Sequence, residues 1–234
     1  MSRILAIETA TDIASGALLE DGELLASFGF RAHRDVAIRL IPEIKQMMEN
    51  KGIAAQALSA VAVGRGPGSF TGIRIGVSAA KGLSLALDIP IYGISTLAAC
   101  AYPARGSGGV VCAVIPAYGD EFYTGIFRAN TLEPVQEAIL SAPALIERLS
   151  QLGEPVTFVP IAEQVCQQLP LNALTVECRC AGPAPGSHLA SWVARLAQTR
   201  IDAGDAGDGI GLAPVYLRPS QAQMAGEERA KDGS

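Results

Sequence analysis

Residues 64–76 read GRGPGSFTGIRIG and join the apolar run 58–63 to a helical pattern over 71–87. A glycine-rich turn between a strand and a helix serves one of two purposes. It holds a phosphate on the free amide groups of the helix start, or it lets another backbone approach closely. The first purpose indicates an enzyme, and the second indicates a protein that binds a partner.

The common phosphate and nucleophile motifs do not fit this turn. A Walker loop ends in Gly-Lys-Ser/Thr, whereas Gly72 is followed by Ile73 and Arg74. The dinucleotide pattern GxGxxG fails because the three residues SFT separate Gly68 from the next glycine, and the nucleophile elbow GxSxG is not matched either. Free amides at the helix start could still receive an anion, so the motifs leave both purposes open.

The helix after the turn carries small residues at a helical repeat. Gly72, Gly76 and Ala80 lie at i, i+4 and i+8, which gives one face of the helix a stripe without large side chains. A second helix can approach such a stripe closely. The stripe serves either packing inside this chain or contact with a partner, and its spacing does not distinguish the two.

The composition is that of a globular protein with an acidic balance. The chain has 234 residues, 49% of them hydrophobic, and a formal net charge of -5. Its basic residues are scattered among more numerous acids, which argues against direct binding of nucleic acid. Met1 leads almost at once into the strand-like stretch 3–7, without the pattern of a leader or a membrane span, so we expect a cytoplasmic location and no membrane association.

Strand and helix patterns divide the chain into two lobes of an α/β fold. Apolar or alternating runs predict an opening β-meander at 4–9, 15–20 and 24–30. Asp21-Gly22 predicts a tight hairpin turn within it, and strands alternate with helices afterwards. The glycine-rich linker 105–109 marks the boundary between the lobes. The predicted units are a first lobe at 1–106, a second lobe at 107–218 and a disordered tail at 219–234.

Several of these stretches together resemble the TsaB (YeaZ) family. In the first lobe the resemblance is close and is carried by residues 3–11, 64–76 and 89–97. In the second lobe it is carried by Glu121, Tyr123 and the closing stretch 214–218. The resemblance implies a two-lobed actin-like or Hsp70-like ATPase fold, with mixed five-stranded sheets flanked by helices.

The resemblance also implies a function. Members of this family are non-catalytic accessory subunits in the formation of N6-threonylcarbamoyladenosine at position 37 of tRNAs that read codons beginning with A. The implied partners are a TsaD-like catalytic subunit, which holds the metal, and a TsaE-like ATPase, and tRNA is reached only through the complex. By this resemblance the chain requires no cofactor of its own, and a site for ATP or ADP is expected, if anywhere, at the interface of the complex. The isolated chain is expected to form a homodimer.

Two groups of residues are candidates for this role. The partner interface is expected on the glycine turn and the helix that follows, at Gly68, Phe70, Thr71, Gly72, Arg74, Ile75, Gly76, Ala79 and Ala80. The cleft between the lobes, a place for weak nucleotide binding, is expected at Glu8, Thr9, Thr11 and Asp12.

No metal site is expected. The resemblance places Thr96 and Cys100 where the catalytic relatives carry two metal-binding histidines, and a hydroxyl and a lone thiol are poor substitutes for paired imidazoles. The two histidines of the chain, His33 and His188, are interpreted as surface residues. The five cysteines are an odd number, and we expect reduced, mostly buried thiols.

A standalone ATPase or a small-molecule kinase of the same superfold is the alternative. Glu8 and Asp12 would then supply acid or base groups near bound phosphates. Relatives often have Asp in the first turn and Asp-Ala-Arg before the position of Glu121, whereas this chain has Glu8 and the residues PAY at 116–118. Both departures suit a partner protein better than an ATPase, and the missing HExxH and GxSxG motifs disfavour a protease. We therefore interpret the glycines as a place where the backbone of a partner helix approaches.

Overall fold

The first sheet is mixed and has the strand order β3-β2-β1-β4-β5. A computed structural model describes residues 2–32, 34–181 and 189–217 of the chain. The strands of this sheet are β1 Arg3–Glu8, β2 Ile13–Glu20, β3 Glu23–Arg31, β4 Ala60–Gly64 and β5 Ile91–Ile94. The predicted opening meander is confirmed, because β1, β2 and β3 pair antiparallel. Asp21 and Gly22 between β2 and β3 both have positive φ, at 46° and 84°, as a tight hairpin turn requires.

The second sheet repeats the topology of the first, with the strand order β10-β9-β6-β7-β8. Its strands are β6 Val110–Pro116, β7 Glu121–Arg128, β8 Pro134–Ser141, β9 Val156–Pro160 and β10 Cys178–Cys180. Each sheet therefore consists of an antiparallel meander followed by two strands that add in parallel on the side of its first strand. Strand β8 has no counterpart in the sequence prediction, since it is an edge strand that begins with proline and is only half-buried along its length.

Helices cover both faces of each sheet. They are α1 Val36–Asn50, α2 Phe70–Leu87, α3 Thr96–Ala101, α4 Ala142–Leu152, α5 Glu163–Gln168 and α6 Leu189–Asp202. The pair α1 and α2 covers the outer face of the first sheet, and α4 and α5 cover the outer face of the second. Proline usually kinks or ends a helix, but α1 continues through Pro42 as one helix, with the proline on its exposed side.

The central layer of the molecule consists of α3 and α6, which lie between the two sheets. One hydrophobic cluster joins residues of both sheets to both helices, including Ile4, Phe127, Leu97 and Val193. Helix α6 packs against β1 and β2 of the first sheet, where Ala190 N donates to Ser15 Oγ at 3.3 Å. The predicted division at residue 106 separates the strands of the two sheets, but it assigns α6 to the second lobe although this helix covers the first sheet.

The chain from residue 212 onward also returns to the first lobe. Val215 N donates to the carbonyl of Arg65 at 2.7 Å, which ties the last described segment to the glycine turn. The predicted disordered tail at 219–234 lies outside the described residues. No helix among the described residues has the length and apolarity that crossing a membrane requires.

Because α6 fills the space between the sheets, shortening one of its buried side chains should destabilise both lobes together. We expect Leu189→Ala to lower the free energy of unfolding by about 2–5 kcal/mol, since Leu189 is fully buried in the shared cluster. Urea unfolding followed by circular dichroism measures the change. The exposed Thr199 on the same helix supplies the control, and Thr199→Ala should change the free energy by about 0.5 kcal/mol or less. A small loss for Leu189→Ala would contradict the shared core.

Candidate functional site

The glycine turn between β4 and α2 is in contact with the backbone of two other segments of the same chain. Gly66 and Gly68 have φ of 100° and 151°, a region that residues with side chains rarely adopt. A Cβ on Gly68 would overlap the carbonyl oxygen of Ala10, and one on Gly66 would lie 2.7 Å from the carbonyl oxygen of Val215. The glycines thus let the turn after β1 and the C-terminal segment approach closely.

The small-residue stripe of α2 faces the interior of the chain. Gly72, Gly76 and Ala80 are all buried. A Cβ on Gly72 would overlap the carbonyl oxygen of Thr9, and a Cβ on Gly76 would overlap the Thr9 hydroxyl. The Thr9 hydroxyl also donates a hydrogen bond to Gly72 O at 2.7 Å. The prediction that the stripe contacts a partner is therefore wrong for these three residues, because the end of β1 already occupies the space beside them.

Amide groups at the start of α2 are also partly used within the chain. Ser69 N donates to Ala10 O at 2.8 Å, and Gly72 N donates to the hydroxyl of Ser69 at 3.2 Å. The question raised by residues 64–76 thus has a specific answer. The glycines serve the approach of a backbone, as predicted, but the backbone belongs to β1 and to the C-terminal segment.

Other residues of the predicted interface remain accessible. Thr71 and Arg74 are exposed, and the half-buried members are Gly68, Phe70, Ile75 and Ala79. The guanidinium of Arg74 lies 3.9 Å from the centre of the Phe70 ring and donates to the Tyr216 hydroxyl at 2.9 Å. The rings of Phe70 and Tyr216 are 4.7 Å apart. Arg74 therefore holds the C-terminal segment against α2, a contact that its sequence position did not reveal.

A second stripe of small residues lies on the outer side of α2. Ser78, Gly82 and Ala86 are exposed, and a Cβ added to Gly82 would meet no atom within 4 Å. This stripe has the same i, i+4 spacing as the buried one, so the signal was present in the sequence but could not be told from the other. Leu85 beside it is 74% exposed, and Ile38 on the neighbouring α1 is 76% exposed.

Glu8, predicted to line the cleft, is fully buried at the end of β1. Its carboxylate accepts hydrogen bonds from Ala10 N at 2.6 Å and from Thr96 Oγ1 at 2.9 Å. A Cβ on Gly64 would overlap this carboxylate, so the glycine at the end of β4 makes room for it. Burial raises the pKa of Glu8 above its ordinary value of 4.5, although these hydrogen bonds oppose the shift.

The four predicted cleft residues therefore separate into two pairs. Glu8 and Thr9 point into the core, whereas Thr11 and Asp12 line a cleft of about 470 Å³ between the lobes. The second lobe contributes mainly apolar and tyrosine residues to it, namely Ile115, Pro116, Ala117, Tyr118, Tyr123, Ile161 and Ala162.

The charge of the cleft does not match a polyphosphate. Among the described lining residues, Asp12 is the one with a charged side chain. Phosphate groups are bound in proteins by arginine, lysine, metal ions or clustered amides, and a carboxylate repels them. Pro116 and Tyr118, at positions where the resemblance implied charged residues, form this part of the cleft wall.

Thr96 and Cys100, which the resemblance matched to metal-binding histidines, are buried in α3. The Thr96 hydroxyl is engaged by Glu8, and burial raises the pKa of the Cys100 thiol far above its usual range. Within the ranges that the structure describes, no group of three or more His, Cys, Asp or Glu side chains is arranged to hold a metal ion. His33 and His188 lie outside the described residues.

The sequence is similar to proteins of one biosynthetic step. The model of the family described as "TsaD: tRNA N6-adenosine threonylcarbamoyltransferase" matches residues 30–181. The tRNA threonylcarbamoyladenosine biosynthesis protein TsaB of Bacillus subtilis (strain 168) is 29% identical over 233 residues, which cover 97% of this chain and 99% of that protein. The protein of the same name from Escherichia coli (strain K12) is 37% identical over 166 residues, which cover 66% of this chain and 70% of that protein.

Solved structures agree with this similarity. YeaZ from Pseudomonas aeruginosa is 29% identical and superposes with a TM-score of 0.71 over 93% of this chain and all of that one. A ROK family glucokinase from Streptomyces griseus, 11% identical, shares the fold alone, with a TM-score of 0.52 over 85% of this chain and all of that one. The two-lobed actin-like fold that the sequence resemblance implied is confirmed.

The two small-residue stripes of α2 should respond oppositely to a large side chain. We expect Gly76→Leu to lower the free energy of unfolding by at least about 1–3 kcal/mol, because its side chain would collide with Thr9. Gly82→Leu should raise it by roughly 0.5–1 kcal/mol, because it replaces an exposed helical glycine by a good helix former. Urea unfolding compares the two variants, and equal tolerance of both would show that the inner stripe is not packed.

The buried Glu8 should make stability depend on pH. Its raised pKa means that the folded chain holds the proton more tightly than the unfolded chain. The stability contributed by this group is therefore present below its unfolded pKa and falls as the pH rises through the folded value. Glu8→Gln mimics the protonated form, so its stability relative to the unmodified chain should increase from about pH 5 to about pH 8. A difference that stays constant in urea unfolding across this range would contradict a raised pKa.

Proposed function

The chain belongs to the TsaB (YeaZ) family, and from this membership we propose that it is a non-catalytic subunit that pairs with a TsaD-like protein. The pair, joined by a TsaE-like ATPase, forms N6-threonylcarbamoyladenosine at position 37 of tRNAs that read codons beginning with A. The catalytic group and the metal belong to the TsaD-like partner. This chain contributes a surface, takes no cofactor of its own and works in the cytoplasm.

The outer face of α1 and α2 is the observation that carries the proposal. Ile38 on α1 and Leu85 on α2 are 76% and 74% exposed, and Ile41 on α1 is also exposed. Isolated apolar residues on a surface are common, but here they occur on two helices that contact each other, and one of these helices also carries an exposed glycine. We define this surface as the α1–α2 face, formed by Ile38, Ile41, Ser78, Gly82 and Leu85.

Gly82 gives the α1–α2 face its second argument. A glycine inside a helix costs roughly 1 kcal/mol relative to alanine, and Gly82 has neither a positive φ nor a packed neighbour in the chain that would explain it. A helix of another chain can approach most closely where a glycine lies on the surface. We therefore assign the partner contact to the outer stripe of α2, in place of the inner stripe.

The similarity to the TsaD family model supports the choice of partner. Two chains of the same fold can pair through equivalent faces about an approximate two-fold axis, and the same geometry allows a homodimer when only one chain is present. The net charge of -5 fits a subunit that meets tRNA only through its partner.

The interior of the site supports a non-catalytic role. The Glu8 carboxylate is enclosed by Ala10, Thr96 and Gly64 and does not reach the cleft. Asp12, the charged residue of the cleft lining, faces apolar and tyrosine residues of the second lobe. These surroundings favour neither phosphate binding nor acid–base chemistry in this chain.

Substitutions on the α1–α2 face should weaken the pairing. We expect Leu85→Asp to reduce the affinity for the purified TsaD-like protein of the same organism by about tenfold or more, because a charge would be buried in an apolar contact. Calorimetry or light scattering measures the affinity, and a tRNA-modification assay on the same samples should show a parallel loss. Tyr118, 73% exposed in the second lobe, supplies the matched control, and Tyr118→Asp should leave the affinity unchanged.

Three outcomes would contradict the proposal in different ways. Normal affinity of Leu85→Asp with weak binding of Tyr118→Asp would move the interface to the second lobe. If the heterodimer forms but the TsaD-like protein alone already modifies tRNA fully, this chain is not needed for the reaction and the accessory role is wrong. ATP turnover by this chain alone, with no heterodimer, would favour the kinase-like alternative.

A further inference from the structure

Three cysteines lie together on the outer side of the second lobe. Cys178 and Cys180 are two residues apart on β10, so their side chains share one face of the strand. Cys166 comes from α5, and its Sγ lies 3.2 Å from the Sγ of Cys180. The Cys180 side chain is exposed, and the other two are half-buried.

We propose that Cys166 and Cys180 form a thiol–disulfide exchange site that closes into an intramolecular disulfide when it meets a low-molecular-weight disulfide such as oxidised glutathione. Exchange begins when the thiolate of Cys180, the exposed partner, attacks one sulfur of the small disulfide and expels one thiolate. Cys166 then attacks the mixed disulfide and expels the second. Two protein thiols are oxidised to one disulfide, the small disulfide is reduced to two thiols, and the two protons pass from the protein thiols to the leaving groups.

The geometry needs only a small movement. A disulfide has an S–S length of about 2.05 Å, so the two sulfurs must approach by roughly a further 1 Å. The elements that carry them are at the edge of the lobe: β10 has three residues and pairs with β9 at the end of the sheet, and α5 has six residues. Such edge elements can shift without moving the central strands.

The third cysteine of the group is less suited to exchange. The sulfur–sulfur contact in the structure joins Cys166 to Cys180 and not to Cys178, and burial raises the pKa of the Cys178 thiol, which lowers the fraction of reactive thiolate. It therefore serves as a natural control on the same face of the same strand. Among the described residues these thiols are not arranged to hold a metal ion, and even three of them are fewer than the four ligands that a structural zinc ion takes, which favours disulfide chemistry at this site.

The test uses the full chain, reduced, desalted and then incubated with an excess of oxidised glutathione. After alkylation of the remaining thiols, intact mass spectrometry should show the loss of two alkylation sites without a retained glutathione, and peptide mapping should find Cys166 joined to Cys180. Cys166→Ser should stop at a glutathione adduct on Cys180, whereas Cys178→Ser should still form the intramolecular bond. Circular dichroism confirms that each variant is folded.

The other results overturn the proposal. Glutathione adducts without an internal bond in the unmodified chain would show that the sulfurs cannot close. A bond between Cys178 and Cys180, or a disulfide between two chains, would show that another pair reacts. Resistance of both Cys166 and Cys180 to oxidised glutathione would show that the site is closed to exchange. Because this chemistry lies on the second lobe, none of these results bears on pairing through the α1–α2 face.

Discussion

The first lobe depends on one close contact, in which the backbone of α2 lies directly against the end of β1. Gly72 and Gly76 leave no side chain between the helix and Thr9, and the Thr9 hydroxyl binds the helix carbonyl at Gly72. A helix that carried side chains on this face would lie farther from the sheet, since packed helices are separated by their contact residues. The contact therefore fixes the distance between α2 and the sheet and the rotation of α2 about its axis. The rotation in turn decides which residues of the helix face outward.

The same contact decides what the end of β1 can do chemically. In a fold shared with kinases, this turn is adjacent to the cleft between the lobes. Here Thr9 is held by α2 and Glu8 turns inward to Thr96 and Ala10, so the polar groups of β1 stabilise the interior instead of facing the cleft. A buried carboxyl group is tolerated because its oxygens accept hydrogen bonds and because its raised pKa favours the neutral form. The proposed role as a binding subunit is consistent with this inward turn.

Local patterns in the sequence predicted the meander of the first sheet, the turn at Asp21-Gly22 and the repeated alternation of strands and helices, because period-two runs and turn residues are local signals. They did not predict the orientation of α2, since two stripes of small residues with equal spacing require knowledge of where Thr9 lies. The inward orientation of the Glu8 side chain could not be predicted either, because it depends on the absence of a side chain at Gly64 on a neighbouring strand. The position of α6 depends on contacts with β1 and β2, more than 150 residues earlier in the chain.

The return of α6 to the first sheet has a consequence for synthesis on the ribosome. The inner face of that sheet is complete once β5 ends at Ile94, yet the helix that covers it ends at Asp202. At the usual rate of translation these residues take on the order of ten seconds to make, and α3, which is made in between, packs mainly against β6, β7 and β9 of the second sheet. The nascent chain therefore carries a half-covered apolar sheet while residues 95–202 are being made, and transiently exposed apolar surface of this kind favours aggregation or chaperone binding. Folding of one lobe after the other along the chain does not apply to this topology, because α6, which follows all the described strands, completes the first lobe.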